Sequence, residues 1–255
     1  MNHVDKRKKE QGFTLIELSL ALAFIAILLL TIALTIIQIA TIYNRGSITK
    51  ELNTTSRALD TELSLALRSS GGFSLEPSAS RYVPSAEGGR LCLGQYSYIW
   101  NYGRALSEVK STRNMYVTGS VVTGGNIVTK DGATRYEIGF VKVPDSSNAY
   151  CTPDGQGRYK AVVPTNATEL LRTGDHGLVL HSLKVETTTT AKDKQSGQQL
   201  YRISYTLGTD KIGALNGNAT TPPTKCLEPG QPGADFNYCA IQQFTLVLRV
   251  VSGFN

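Results

Sequence analysis

From Phe13 to Tyr43 the chain runs 31 residues without a glycine or a proline, and Glu17 is the one charged residue among them. A membrane-spanning helix needs roughly 20 apolar residues. A run of this length therefore predicts a helix that crosses a bilayer and either tilts or projects beyond it. Lys6, Arg7, Lys8 and Lys9 precede it. A basic flank of this kind holds the N-terminus in the cytoplasm, so everything after Asn44 is expected outside. A secretory signal peptide also begins basic and then oily, but its apolar core is roughly 7–15 residues and ends at an A-x-A-like site. Here the run is about twice that length, no such site follows it, and the small residue, Gly12, stands before it.

Glu17 needs its own reason. An ionisable side chain in a membrane helix costs on the order of 2.5–3.5 kcal/mol at the bilayer centre and less near the ends. The next basic residue is Arg45, 28 positions on, or roughly 42 Å along a helix, which is too far to pair within the chain. Cleavage before Phe13 would create another cation, the α-amino group of Phe13. That amine and Glu17 would sit about one turn apart in one chain and could pair directly across two staggered chains, setting register more than stability. A simple uncleaved anchor explains the length and the orientation of the run, but not Glu17.

The stretch KRKKEQGFTLIEL resembles the leader and cleavage site of type IV prepilins and of the related pseudopilins of type II secretion. Gly12, Phe13 and Glu17 match that signature position by position, with Thr14, Leu15 and Ile16 filling the gap. The likeness covers about 30 residues and rests on the coincidence of motif, basic flank and helix. It implies cleavage between Gly12 and Phe13 by a prepilin peptidase, and N-methylation of Phe13. It implies retention in the inner membrane, with lipid around the helix, and extraction by an inner-membrane assembly machinery into a filament of pilin subunits. The pilus would be extracellular, or the pseudopilus periplasmic. Glu17 is implied to neutralise the Phe13 amine of a neighbouring subunit.

These readings divide the chain into a cleaved leader (1–12), a transmembrane and filament-core helix (13–43), an amphipathic continuation (44–70) and a β-rich extracytoplasmic domain (71–255). In the continuation Ile48, Leu52, Leu59, Leu63 and Leu67 recur at steps of four and seven, with Thr55 in the gap, as a helix packed on a sheet requires. Gly71 and Gly72 end it, and Gly46 is the expected soft point. Residues 71–90 read as a Gly/Ser/Pro-rich loop. Strands are expected at 90–100, 115–122, 135–143, 158–163, 177–189, 199–207 and 244–251, with 191–197 as an exposed hairpin tip. Tyr201, Ile203, Tyr205 and Leu207 share one face, as do Phe244, Leu246, Leu248 and Val250. The expected class is α+β: one long helix followed by antiparallel strands, the pilin fold by resemblance.

All four cysteines, Cys92, Cys151, Cys226 and Cys239, follow the apolar run. No pair has C-x-x-C spacing and the chain has three histidines, so two disulfides in an oxidising compartment fit better than zinc. The favoured pairing is Cys226–Cys239, closing a short Pro/Gly-rich loop, and by default Cys92–Cys151, with free buried thiols as the alternative. The loop, 220–239, reads as a filament contact or receptor patch, or as a stapled surface excursion. Asp175, His176 and His181 lie close in sequence, but the two histidines fall on opposite faces of a strand and read as surface residues. Asp145 and Asp154 lack the spacing of a calcium loop. Neither a catalytic constellation nor a metal or cofactor site is expected, and the net charge of +6 without a basic block makes nucleic acid an unexpected partner.

The apolar run lacks the Pro and Gly breaks that major pilins often carry in their helix. The stretch 57–73 is similar to minor pilins and J-type pseudopilins, where an Asp-containing helix ends in a Gly turn. The expected role is a minor pilin-like subunit that primes assembly or presents an adhesive surface. A secretion pseudopilin and a monomeric membrane-anchored domain are the alternatives.

Overall fold

The computed structural model describes residues 14–76, 81–85, 87–108, 121–122, 128–131, 134–155, 157, 159–160, 162, 166–171, 177–187, 198–217, 221–235 and 237–251. It divides into two compact units, Met1–Asn44 and Arg45–Asn255. The fold is α+β, with one long N-terminal helix packed against antiparallel sheets. Helix α1 runs Leu15–Ser70. Leucine, alanine and isoleucine dominate its first half, and no proline interrupts it. The helix continues through Gly46, the expected soft point, where added side-chain bulk would meet nothing within 4 Å. It stops at Gly71, whose φ of 69° is the left-handed conformation that closes helices.

Among the described residues nine shorter strands, three longer ones and a short α-helix follow α1, besides a 3-10 turn at Ile212–Ala214. They are β1 (Tyr82–Pro84), β2 (Gly88–Cys92), β3 (Tyr96–Asn101), α2 (Gly103–Glu108), β4 (Val121–Val122), β5 (Val128–Asp131), β6 (Thr134–Glu137), β7 (Phe140–Pro144), β8 (Tyr159–Lys160), β9 (Thr168–Leu171), β10 (Leu178–Thr187), β11 (Gln198–Thr209) and β12 (Ile241–Val251). They form a five-stranded sheet in the order β1-β2-β3-β7-β9, a three-stranded sheet β10-β11-β12 and two strand pairs, β4-β8 and β5-β6. Among the described residues every ladder is antiparallel. A parallel bridge, Tyr102 to Leu180, joins the end of β3 to β10.

Within the second unit, α1 lays one stripe across both larger sheets. Leu52, Leu59, Leu63 and Leu67 are at most 2% exposed, and burial of a leucine side chain is worth about 1.5–3 kcal/mol. The gap between Leu52 and Leu59 is filled by Ser56, which is buried, while Thr55 is half-buried. The main core joins this stripe to Leu91, Tyr98, Trp100 and Phe140 of one sheet and to Leu180, Tyr201, Ile203 and Tyr205 of the other. Polar contacts fix the helix to each sheet separately. Glu62 accepts from the Tyr98 hydroxyl at 2.7 Å and the Lys142 ammonium at 2.6 Å. Tyr205 donates to Asp60 at 2.8 Å.

The other face of the five-stranded sheet has a core of its own, built on Ile99, Val141, Val143, Tyr150 and the Cys92 and Cys151 pair. Arg90 is buried there, and its guanidinium donates to the Tyr150 and Lys160 carbonyls. This sheet is thus covered on both sides.

Several expectations need correction. The stretch 90–100 is two strands, β2 and β3, turned at Gly94 with φ of 89°. The supposed loop 71–90 contains β1 and the start of β2. Residues 135–143 fall in β6 and β7 rather than in one strand. Of 115–122 only Val121–Val122 is described, and it pairs with β8. The stretch 191–197 lies outside the described residues. Strands β10 and β11 pair along most of their length, with a bulge between Leu180 and Ser182. Tyr201, Ile203, Tyr205 and Leu207 are all buried, and Phe244, Leu246, Leu248 and Val250 form the more buried face of β12.

Candidate functional site

Gly12 and Phe13 lie outside the described residues. Glu17 opens α1, and its carboxylate is held within its own chain. The Thr14 N–H donates to Glu17 Oε2 at 3.0 Å, and the Thr14 hydroxyl donates to the same oxygen at 2.8 Å. Glu17 N–H approaches Thr14 Oγ1 at 3.4 Å. This is a capping box: a Thr at the helix cap and a Glu three residues on, each serving donors that the first turn leaves unpaired. The acid also sits at the positive end of the helix dipole. Thr-x-x-Glu before an apolar run is the sequence signature of such a box, and it is legible at 14–17.

The apolar part of α1 is long and apolar enough to cross a membrane, and none of its most apolar window is buried. Leu15, Ile16 and Ile42 are 87%, 76% and 72% exposed. Four hydroxyls along it turn back onto its own backbone. Ser19, Thr31, Thr35 and Thr41 donate to carbonyl oxygens three or four residues earlier. That arrangement suits a segment without water around it.

The histidine and aspartate expectations are overturned in part. His181 is not a surface residue; it is 2% exposed, its Nε2 lies 3.2 Å from the Thr209 carbonyl, and burial pushes its pKa down to about 4. Asp175 and His176 lie outside the described residues. Asp145 is buried as well. Burial pushes its carboxyl up, yet the Ser97 hydroxyl and the Tyr150 and Ala149 amides hold it below its ordinary value. Its oxygens are thus occupied in closing the 145–150 turn. Among the described residues no group of three His, Cys, Asp or Glu side chains is placed to hold a metal ion.

The two disulfides join Cys92 to Cys151 and Cys226 to Cys239. The first is sealed, with both cysteines 0% exposed. The second belongs to a small separate core with Ala214, Leu215 and Ile241. Its loop is ordered by more than the cross-link. Asn216 accepts from the Thr224 and Lys225 amides, Leu227 N–H donates to Ala214, and Leu215 bridges Cys226. Lys211 pairs with Asp235 at 2.8 Å. Between this loop, the start of β12 and the α1 residues from Arg45 to Leu52 lies an open groove of about 400 Å³. Its floor is apolar, with Leu52, Leu227 and Ile241. Arg45, Lys225 and Glu228 supply the charges. Nothing in the sequence pattern marks this groove, because its walls come from three segments far apart in the chain.

Comparison with family models, with curated proteins and with solved structures gives no match.

Proposed function

We propose that the chain is a minor pilin-like subunit, cut between Gly12 and Phe13, methylated on Phe13 and assembled through its N-terminal helix. Partner subunits, a prepilin peptidase and an inner-membrane assembly machinery are its proposed partners. It would stand in the inner membrane with its N-terminus in the cytoplasm before entering a pilus or pseudopilus. The observation that carries this reading is the Gly12, Phe13 and Glu17 signature in the sequence, directly before and within a helix whose apolar surface is left uncovered by its own chain. That surface supports a role in which lipid first, and other helices later, cover it.

One observation favours a second reading. Glu17 already has donors in Thr14, so a monomeric anchored domain needs no neighbour to account for the acid. N-terminal mass analysis of the protein from cells separates the two. The filament reading expects a chain that begins at a methylated Phe13; a chain still carrying residues 1–12 overturns it. Recovery in sheared surface fibres then distinguishes a pilus from a secretion pseudopilus, which would show lost export without long fibres.

A further inference from the structure

Strand β12 ends the three-stranded sheet, and among the described residues no strand lies beyond it. It has 11 residues and pairs with β11 from end to end without a register shift. One step before the Gly208–Ile241 pair, the Thr209 N–H donates to the opposite carbonyl of Ala240. Hydrogen-bonded pairs alternate along an antiparallel ladder. Gln242, Phe244, Leu246, Leu248 and Val250 therefore turn their backbone groups toward β11, whereas Gln243, Thr245, Val247 and Val251 turn theirs to the sheet edge. Natural edges are blunted by short length, a bulge, proline or charge, lysine above all. Strand β12 is long and unbulged, contains neither proline nor lysine, and has one charged residue, Arg249.

The faces beside this edge are unfinished. Leu248 and Val250 are buried, but Phe244 and Leu246 on the same face are half-buried. Val247 and Val251 on the other face are 50% and 59% exposed. At the start of the strand, Ile241 and Gln242 line the groove together with Thr49 and Leu52 of α1 and Leu227 of the loop, and among the described residues no β11 side chain lines it. Edge and groove both belong to the Arg45–Asn255 unit. Backbone donors and acceptors repeating every two residues, roughly 6.8 Å apart, match the backbone of an extended polypeptide. In strand addition those main-chain bonds supply affinity, and pockets for alternate side chains supply specificity. We propose that the β12 edge receives an extended segment of another polypeptide as a fourth strand. Its alternate apolar side chains cover Phe244 and Leu246, and an apolar side chain at its end enters the groove. Filament assembly is not a premise of this inference.

The test uses the full chain in micelles and, as probe, a synthetic peptide with the sequence of residues 199–207, which already matches β12 from the other side. A control peptide has proline at the position of Ile203, so it partitions into detergent but cannot pair. Hydrogen exchange should slow at the Gln243, Thr245 and Val247 amides with the first peptide and not with the second. Thr245→Pro removes one edge donor without touching the β11 ladder, and should weaken peptide binding about fivefold, the value of one net hydrogen bond. Val247→Lys, which keeps every backbone donor and adds an edge charge, should weaken it as well and keeps the test open if the proline variant fails to fold. Arg202→Ala, on the exposed face of β11, should leave binding unchanged. Equal protection by both peptides, protection elsewhere, or binding untouched by Thr245→Pro and Val247→Lys overturns the proposal. Protection of the same amides by dimer formation without peptide also overturns it, and gives the edge to a second copy of the chain.

Discussion

The two halves of α1 have the same backbone but not the same composition, 23 apolar side chains among the 29 from Leu15 to Tyr43 against 8 among the 26 from Arg45 to Ser70, and they use them differently. From Leu15 to Tyr43 the large side chains are exposed on every side of the helix, and the hydroxyls turn back onto its own carbonyls. From Arg45 to Ser70 the buried apolar residues gather into one stripe; hydroxyls such as Thr49 and Thr54 still turn back onto the helix, but the carboxylates of Glu62 and Asp60 meet Tyr98 and Tyr205 of the sheets. Helical content alone therefore does not say what a helix binds. The distribution of apolar residues around it does, and so does where its polar groups find partners. A helix apolar all round looks for an apolar surrounding; a helix with one stripe has a sheet to lie on.

The sharpest way to break this comparison is to shorten one leucine in each half. Leu63→Ala should destabilise the second unit by about 2–5 kcal/mol, since it opens a cavity where the side chain is 1% exposed. Leu28→Ala, at a position 45% exposed, should leave the unfolding of that unit unchanged. Denaturant unfolding of the full chain in micelles reads both. Equal losses would mean that the first half also supports the sheet domain.

The disulfides sharpen the contrast within the second unit. On loop-closure entropy alone the Cys92–Cys151 bond, with a separation of 59 residues, is worth about 4 kcal/mol, and Cys226–Cys239, with 13, about 3 kcal/mol. Replacing each pair by alanine should lower stability in that order. Mild reduction should open Cys226–Cys239 first, because Cys226 is half-buried while the other pair is sealed. Mass analysis after alkylation detects the order, and the reverse order would contradict the burial argument. Helicity of residues 15–43 should survive both losses.

Much of this was readable beforehand, and the misses have physical causes. The C-terminal end of α1 was legible because Gly71 stops it, and its length because proline is absent. Strands β11 and β12 were legible because each has one wetter face, so the alternation at 201–207 and 244–250 survives in the residue types. The five-stranded sheet is covered on both faces, so β2 and β3 show no alternation, and only the turn at Gly94 separates them. Gly88 and Gly89 looked like loop residues. In the fold they allow close approach: a Cβ on Gly88 would lie 2.1 Å from the Trp100 carbonyl oxygen, and one on Gly89 2.5 Å from the Trp100 ring. His181 looked like a surface residue because a single histidine carries no burial signal; in the fold it lies with Val179 beside Gly103 at the start of α2, so this end of β10 is covered on both faces. The groove at Arg45 was invisible because it is made by tertiary contact.

His181 gives the next smaller effect. Its folded pKa of about 4 lies below the ordinary 6.5, so above pH 6.5 it is neutral in both states and adds no pH dependence. As pH falls from 6.5 toward 4 the unfolded chain takes up a proton that the folded chain refuses, and stability drops. The full loss is on the order of 3 kcal/mol. His181→Gln should remove that part of the acid slope, read as the difference between the two proteins' unfolding midpoints across pH 7 to 4. Parallel slopes would place a proton on the buried ring at neutral pH, or show that the acid response comes from carboxylates. The helix segment 15–43 should respond to neither change.

The smallest effect on stability returns to the first turn of α1, where the comparison between the halves meets the question of Glu17. Loss of a cap costs about 0.5–2 kcal/mol of helix stability. Thr14→Ala and Glu17→Ala both dismantle the box, so both should raise hydrogen exchange at the first amides of α1 by similar factors and leave membrane insertion intact. Their consequences for assembly should differ. If Glu17 also meets the α-amine of a neighbouring chain, Glu17→Ala impairs filament incorporation while Thr14→Ala, which keeps the carboxylate, does not. In that case the box is a resting place that holds the acid at the helix start until a stronger cation arrives. If the two substitutions impair incorporation equally, or not at all, capping exhausts what Glu17 does. The first half of the helix would then be an anchor whose exposed surface meets lipid alone.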